Sequence, residues 1–164
     1  MRWRAGAGKL PTSMPEAPPP LVYPDSLIHN ILERVRAITV VGLSANASGP
    51  SFGVAKFLAE RGYRVIPVNP GLAGQTLFGE IVYARLADIP GPFDMVYIYR
   101  ISEAAGTTAN EAVGLAQKNG ISVIWMQLGV RHDEAAKRAE AAGLTVIMDR
   151  CPKIKYDRLG LGQS

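Results

Sequence analysis

Several common chemistries are absent from this 164-residue chain. There is one cysteine, Cys151, so no internal disulfide can form, and that fits a reducing, cytoplasmic setting. The two histidines, His29 and His132, stand far apart, and with a single cysteine they give no zinc-ligand spacing. No apolar run approaches the roughly 18 residues that a membrane span requires. The opening MRWRAGAGKL has positive charge but no apolar stretch behind it, so it does not read as a secretory signal.

The formal charge of +4 is also absent from the body of the chain. Arg2, Arg4 and Lys9 outweigh Glu16 at the start, and Arg150, Lys153, Lys155 and Arg158 outweigh Asp149 and Asp157 near the end. Residues 25–148 hold eleven basic and eleven acidic side chains, which leaves no basic face for nucleic acid.

What is present begins at Asp25. Half of the twelve prolines precede it, and such a segment can form neither ladder nor helix, so residues 1–22 are expected to be a disordered or surface-draped tail. The expected domain spans 23–158, with 159–164 a flexible end. Asp25 can cap a helix through Arg36 whose apolar stripe is Leu27, Ile28, Ile31, Leu32 and Val35; His29 lies off it and is expected in solvent. The β-branched run Ala37–Leu43 then reads as a strand buried on both faces. Strand and helix go on alternating: a helix capped by Ser51 and stopped by Gly62, the strand YRVIPV, and the strand DMVYIY. A helix from about Thr107 to Lys118, the strand SVIWMQL, the helix Asp133–Ala142 and the strand LTVIM complete the pattern. Residues 71–92 break the rhythm, with one short strand expected at Ile81–Tyr83. The expectation is a Rossmann-like, doubly wound α/β domain, with a mainly parallel five-stranded sheet and helices on both faces.

Ligands of such sheets bind beyond the carboxyl ends of the strands. The first such loop, VVGLSANASGPSFG, lacks GxGxxG, GxxxxGK[ST] and GxSxG alike. It still offers a turn at Gly42, hydroxyls at Ser44, Ser48 and Ser51, and a following helix N-terminus, a combination suited to phosphate. The second strand ends in PVNPG, with Asn69 where an NAD site usually has a carboxylate. After the third strand, Arg100 can pair with a phosphate and its neighbouring tyrosines can lie against an adenine. MQLGV brings Gln127 and Gly129 to the same edge, and MDRCPKIKYDR sets Cys151 between two cations, a setting that activates thiols.

Together these segments resemble the small stand-alone CoA-binding proteins, relatives of the amino-terminal domain of the succinyl-CoA synthetase alpha subunit. The resemblance runs from about Asp25 to Lys155 and is carried by VVGLSANASGPSFGVAKFL, GYRVIPVNPGLAGQ, GEIVYARLADIP, WMQLGV and MDRCPKI. It implies a site for coenzyme A or an acyl-CoA, a small nucleotide thiol. Gly42, Leu43, Ser44, Ser48 and Ser51 would cradle phosphate, Asn69 and Pro70 would line the nucleotide pocket, and Tyr99 and Arg100 would form its wall. Gln127, Leu128 and Gly129 would face the pantetheine. The family often has a basic residue before the PS of the first loop; Gly49 stands there, and Lys56 one helical turn later can substitute in part. With no acid–base pair or metal cluster in view, the expected role is non-catalytic: carrying, sensing or sequestering the coenzyme, as a monomer, a homodimer or with a separate protein partner. Two alternatives stay open, a Cys151 mixed disulfide with CoA and an NAD(P)-binding sensor.

Overall fold

The computed structural model describes residues 17–44 and 46–161. Most of the expected proline-rich tail (1–16) and the last three residues of the expected C-terminal tail lie outside the described residues.

Five parallel strands form the sheet: β1 (Ala37–Val41), β2 (Arg64–Val68), β5 (Met95–Ile98), β6 (Val123–Met126) and β7 (Thr145–Ile147). Their spatial order is β2-β1-β5-β6-β7, so the chain winds outward in one direction, returns, and winds outward in the other. The switch falls between β1 and β5. β1 is buried along its whole length, as its continuous apolar run requires. Its side chains alternate between two cores. Ile38 and Val40 meet α1 (Asp25–Arg34), α2 (Pro50–Glu60) and α5 (Pro152–Arg158), whereas Ala37 and Val41 meet α3 (Ser102–Asn119) and α4 (Asp133–Ala141). Helices therefore cover both faces, and the expected doubly wound architecture is present. Among the described residues no helix is long and apolar enough to cross a membrane.

Local boundaries differ from the sequence expectation for identifiable reasons. The N-cap of α2 is Gly49, not Ser51, because Pro50 occupies the first helical position, where its missing N–H is harmless. Pro24 is the N-cap of α1, and Asp25 holds the first helical position instead of capping it. α5 begins with Pro152 at the first helical position, in a stretch to which the sequence pattern assigned no element. α3 starts at Ser102, more than a turn before Thr107, even though Gly106 lies within it. A Cβ on Gly106 would sit 2.4 Å from the His132 ring, so tertiary packing requires the glycine there rather than chain termination. His132 itself caps α4, its Nδ1 accepting from the Ala135 amide at 3.1 Å. His29 is half exposed beside Glu33, as expected.

The irregular 71–92 stretch contains a two-residue-turn hairpin, β3 (Thr76–Leu77) and β4 (Glu80–Ile81), rather than a strand at 81–83. Tyr83 then forms an isolated parallel bridge with Val68 and returns the chain to the carboxyl end of β2. At the opposite side, residues 19–23 run along the end of β7. Arg131 donates to the Pro19 carbonyl at 2.6 Å, Arg150 to the Leu21 carbonyl at 2.9 Å, and the Met148 amide to the Tyr23 hydroxyl at 2.9 Å.

Two consequences can be measured. Thr39 in β1 is fully buried, and its hydroxyl has no partner among the described residues. Thr39→Val keeps the shape and removes that desolvated group, so urea denaturation is expected to show a gain of about 1 kcal/mol; a loss would contradict the assignment. Tyr63 donates its hydroxyl to the Leu32 carbonyl, and burial, followed by Tyr156 and Glu33, pushes its phenol up to about 12. The folded state thus favours the protonated phenol. Its contribution is complete below the ordinary value of 10 and is lost as pH rises from there toward 12. Denaturation midpoints across that window are expected to fall more steeply for the wild type than for Tyr63→Phe.

Candidate functional site

The switch between β1 and β5 opens into a cleft of about 280 Å³. Val41 and Gly42 enter from the end of β1, Val68, Asn69 and Pro70 from the end of β2, and Arg100 from beyond β5. Three more residues close it, Ala84, Arg85 and Leu86, from the returning chain after Tyr83. Glu111 of α3 completes the lining. Two guanidinium groups and one carboxylate thus line the cleft. Arg85 is engaged by Asp88 at 3.3 Å, whereas Arg100 has no ion pair among the described residues. Residues 84–86 and Glu111 were not expected from the sequence. They arrive through the Val68–Tyr83 bridge and through α3 packing, neither of which leaves a motif.

Gly42 is the pivot. It has φ of +95°, and a Cβ built on it would lie 2.2 Å from the Tyr99 carbonyl oxygen and 2.9 Å from Arg100 Cγ. The first and third strand ends therefore approach more closely than any other residue would permit. Asn69 ties the second end to the first. Its side-chain amide donates to the Leu43 carbonyl at 2.7 Å, and its Oδ1 accepts from the Gly71 amide at 2.8 Å.

The serine loop is ordered by its own side chains. Ser51 is buried, and its hydroxyl accepts from the Ser44 amide at 3.0 Å. Ser44 in turn accepts from the Asn46 amide at 3.1 Å. The amide and hydroxyl of Ser48 both donate to Asn46 Oδ1, at 3.1 and 2.7 Å. α2 begins directly behind this loop, and the first amides of a helix have no intrahelical acceptor. Leu43 is fully buried and offers the site only its backbone. Lys56 lies on the exposed side of α2 and pairs with Glu60 at 2.7 Å, one turn further from the loop.

The remaining expected residues lie along the same edge outside the cleft. Tyr99 is half-buried, its ring edge-on to Tyr97 at 6.2 Å. Tyr97 is wholly buried, which corrects the expectation that both tyrosines could meet an adenine. Gln127 is 8% exposed and Leu128 56% exposed. The Gly129 amide donates to Asp149 Oδ1 at 2.7 Å, joining the ends of β6 and β7. Cys151 is 7% exposed and packs in the core beneath α2 and α5. The cations flanking it in sequence turn elsewhere: Arg150 covers the Tyr23 ring at 5.1 Å, and Lys153 approaches the Phe57 ring at 5.2 Å. Among the described residues there is no cluster of three side chains able to hold a metal ion.

The profile of the CoA binding domain matches residues 36–157, from the start of β1 to the end of α5. The chain belongs to the CoA-binding domain family. It is similar to the uncharacterized protein YneT of Bacillus subtilis, 36% identical over 129 residues that cover 79% of this chain and 91% of that protein. Among solved structures, cell-free ID.343 from Thermus thermophilus is 34% identical with a TM-score of 0.77, covering 84% of this chain and 99% of its own. A hypothetical protein from Pyrococcus horikoshii OT3 is 32% identical, also with a TM-score of 0.77, covering 89% and 99%. The match spans nearly the whole of each of these relatives. Membership supports coenzyme A binding in general and makes a nucleotide bearing several phosphates the ligand class to test against the cleft.

Proposed function

We propose that this domain binds coenzyme A or an acyl-CoA without transforming it, and so carries, senses or sequesters the coenzyme. The observation that supports the reading is Arg100, a guanidinium with no ion pair among the described residues, in the cleft at the switch point. That donor set suits a phosphorylated nucleotide. In this reading the phosphates lie against the Gly42–Ser51 loop, where the Ser44, Ser48 and Ser51 hydroxyls, the Leu43 backbone and the first turn of α2 surround them. Lys56, one turn into α2, reaches the phosphates only if it leaves Glu60. Asn69 and Pro70 border the nucleotide, Tyr99 and Arg100 wall it, and the pantetheine arm leaves along Gln127, Leu128 and Gly129. Two features disfavour the NAD(P) alternative: β2 is followed by an amide rather than a carboxylate, and that amide already serves Leu43 and Gly71. A carboxylate there would also repel the 3′-phosphate of CoA, and Asn69 does not.

Calorimetry with CoA, dephospho-CoA, NAD and ATP tests the proposal. CoA is expected to bind most tightly, with dephospho-CoA weaker and NAD silent. NAD binding at or above the strength of CoA would overturn it. The Cys151 alternative predicts a mixed disulfide by thiol–disulfide exchange with CoA disulfide, releasing one CoA thiolate. Because the thiol is buried at the start of α5, intact mass is expected to show no adduct on the folded wild type. An adduct that is absent from Cys151→Ser would restore the redox reading.

A further inference from the structure

Tyr97 and Gln127 form a buried polar pair at the floor of the site edge, between two hydrophobic strands. Tyr97 lies in β5 and is fully enclosed; Gln127 follows β6 directly, its amide donating to the Ile98 carbonyl at 3.1 Å. The Tyr97 hydroxyl donates to Gln127 Oε1 at 2.5 Å. That direction is fixed by counting hydrogens. If the glutamine were flipped, its Nε2 would donate to the tyrosine oxygen, and the single hydroxyl hydrogen would be sealed in the core with no acceptor among the described residues. The phenol also holds its proton firmly, since burial above all, then Cys151 and Tyr99, drive it far above the ordinary range. Oε1 therefore points inward. Nε2 has no acceptor among the described residues, yet it is not among the sealed, unpartnered atoms, of which Thr39 Oγ1 is the one described. The residue as a whole is 8% exposed, at the carboxyl edge of β6.

Resting on the CoA reading above, we propose that Tyr97 is a positioning residue that locks Gln127 with its side-chain N–H groups outward, as a donor to a carbonyl oxygen of the pantetheine arm or of an acyl thioester. The surroundings fit an arm of alternating amides and methylenes. Leu128 is exposed beside Gln127, and the Gly129 amide is already committed to Asp149, so Gln127 supplies the directional contact and Leu128 the apolar one.

The probes are CoA, acetyl-CoA and adenosine 3′,5′-bisphosphate, which lacks the arm, titrated by calorimetry into wild type, Gln127→Glu, Gln127→Leu and Tyr97→Phe. Gln127→Glu keeps an acceptor for Tyr97 but removes the donor. Both Gln127 variants are expected to weaken acetyl-CoA about tenfold and leave the bisphosphate within about twofold, as removal of one hydrogen bond does. Tyr97→Phe is expected to weaken acetyl-CoA by about three- to tenfold, again sparing the bisphosphate, and to add nothing in the Gln127→Leu background. A larger loss for acetyl-CoA than for CoA assigns the contact to the thioester, and equal losses assign it to a pantetheine amide; either supports the proposal. Equal losses for acetyl-CoA and the bisphosphate, unchanged binding of both CoA and acetyl-CoA in Gln127→Glu, or additive effects of the two sites would overturn it. Wild type that binds neither CoA nor the bisphosphate would instead remove the CoA reading itself.

Discussion

Gly42→Ala is expected to destabilise the protein by about 3–5 kcal/mol, lowering the melting temperature by roughly 10 °C or more. Two effects add at this position. The residue has φ of +95°, a conformation that an L side chain adopts only with strain. The new methyl group would also lie 2.2 Å from the Tyr99 carbonyl oxygen, which is backbone and cannot rotate away, and 2.9 Å from Arg100 Cγ. Gly42 also donates to the Val68 carbonyl at 3.3 Å, so displacing it disturbs β2 as well as β5. The same shift would move Arg100 within the cleft, and whatever CoA binding the wild type shows should weaken with stability. Thermal and urea denaturation would check the first part. A change below about 1 kcal/mol would mean that the two strand ends can separate at little cost, and the rigid meeting point described here would be wrong.

Arg100→Ala is expected to weaken CoA by about 1.5–3 kcal/mol, roughly 10- to 150-fold in Kd, with little change in stability. The side chain is exposed at the cleft wall and has no ion pair among the described residues, so its removal leaves no buried charge unpaired. Arg85 is the internal control. It lines the same cleft but is held by Asp88 at 3.3 Å, and its loss should weaken binding less. Because the interaction is between charges at a partly open site, the wild type should also lose affinity with salt more steeply than Arg100→Ala. Unchanged CoA affinity in the variant, measured by calorimetry at low and moderate salt, would place the phosphates elsewhere on the edge.

The ease or difficulty of reading each feature from the chain has a physical origin. β1 was legible because a strand buried on both faces must be apolar without interruption, and AITVV is. Strand–helix alternation was legible for the same reason, since each crossover needs its own apolar stripe. The starts of α1 and α2 were misplaced where proline stood at the N-cap or the first helical position, because a cap side chain is only one of several ways to satisfy a helix end. The continuation of α3 through Gly106 depended on the His132 ring, 26 residues away in sequence.

By itself, then, the sequence determined the fold class, and it placed Gly42, Asn69, Pro70 and Arg100 just past strand ends, where the structure has a cleft. Each is encoded locally, by periodicity or by position just past a strand. Only the tertiary structure decided which polar groups are free to act. It committed Asn69 to Leu43 and Gly71, turned Lys56 toward Glu60, buried Cys151 and Tyr97, and brought residues 84–86 and Glu111 to the cleft. Hydrogen-bond partners and burial are set by residues distant in the chain, and no local pattern records them.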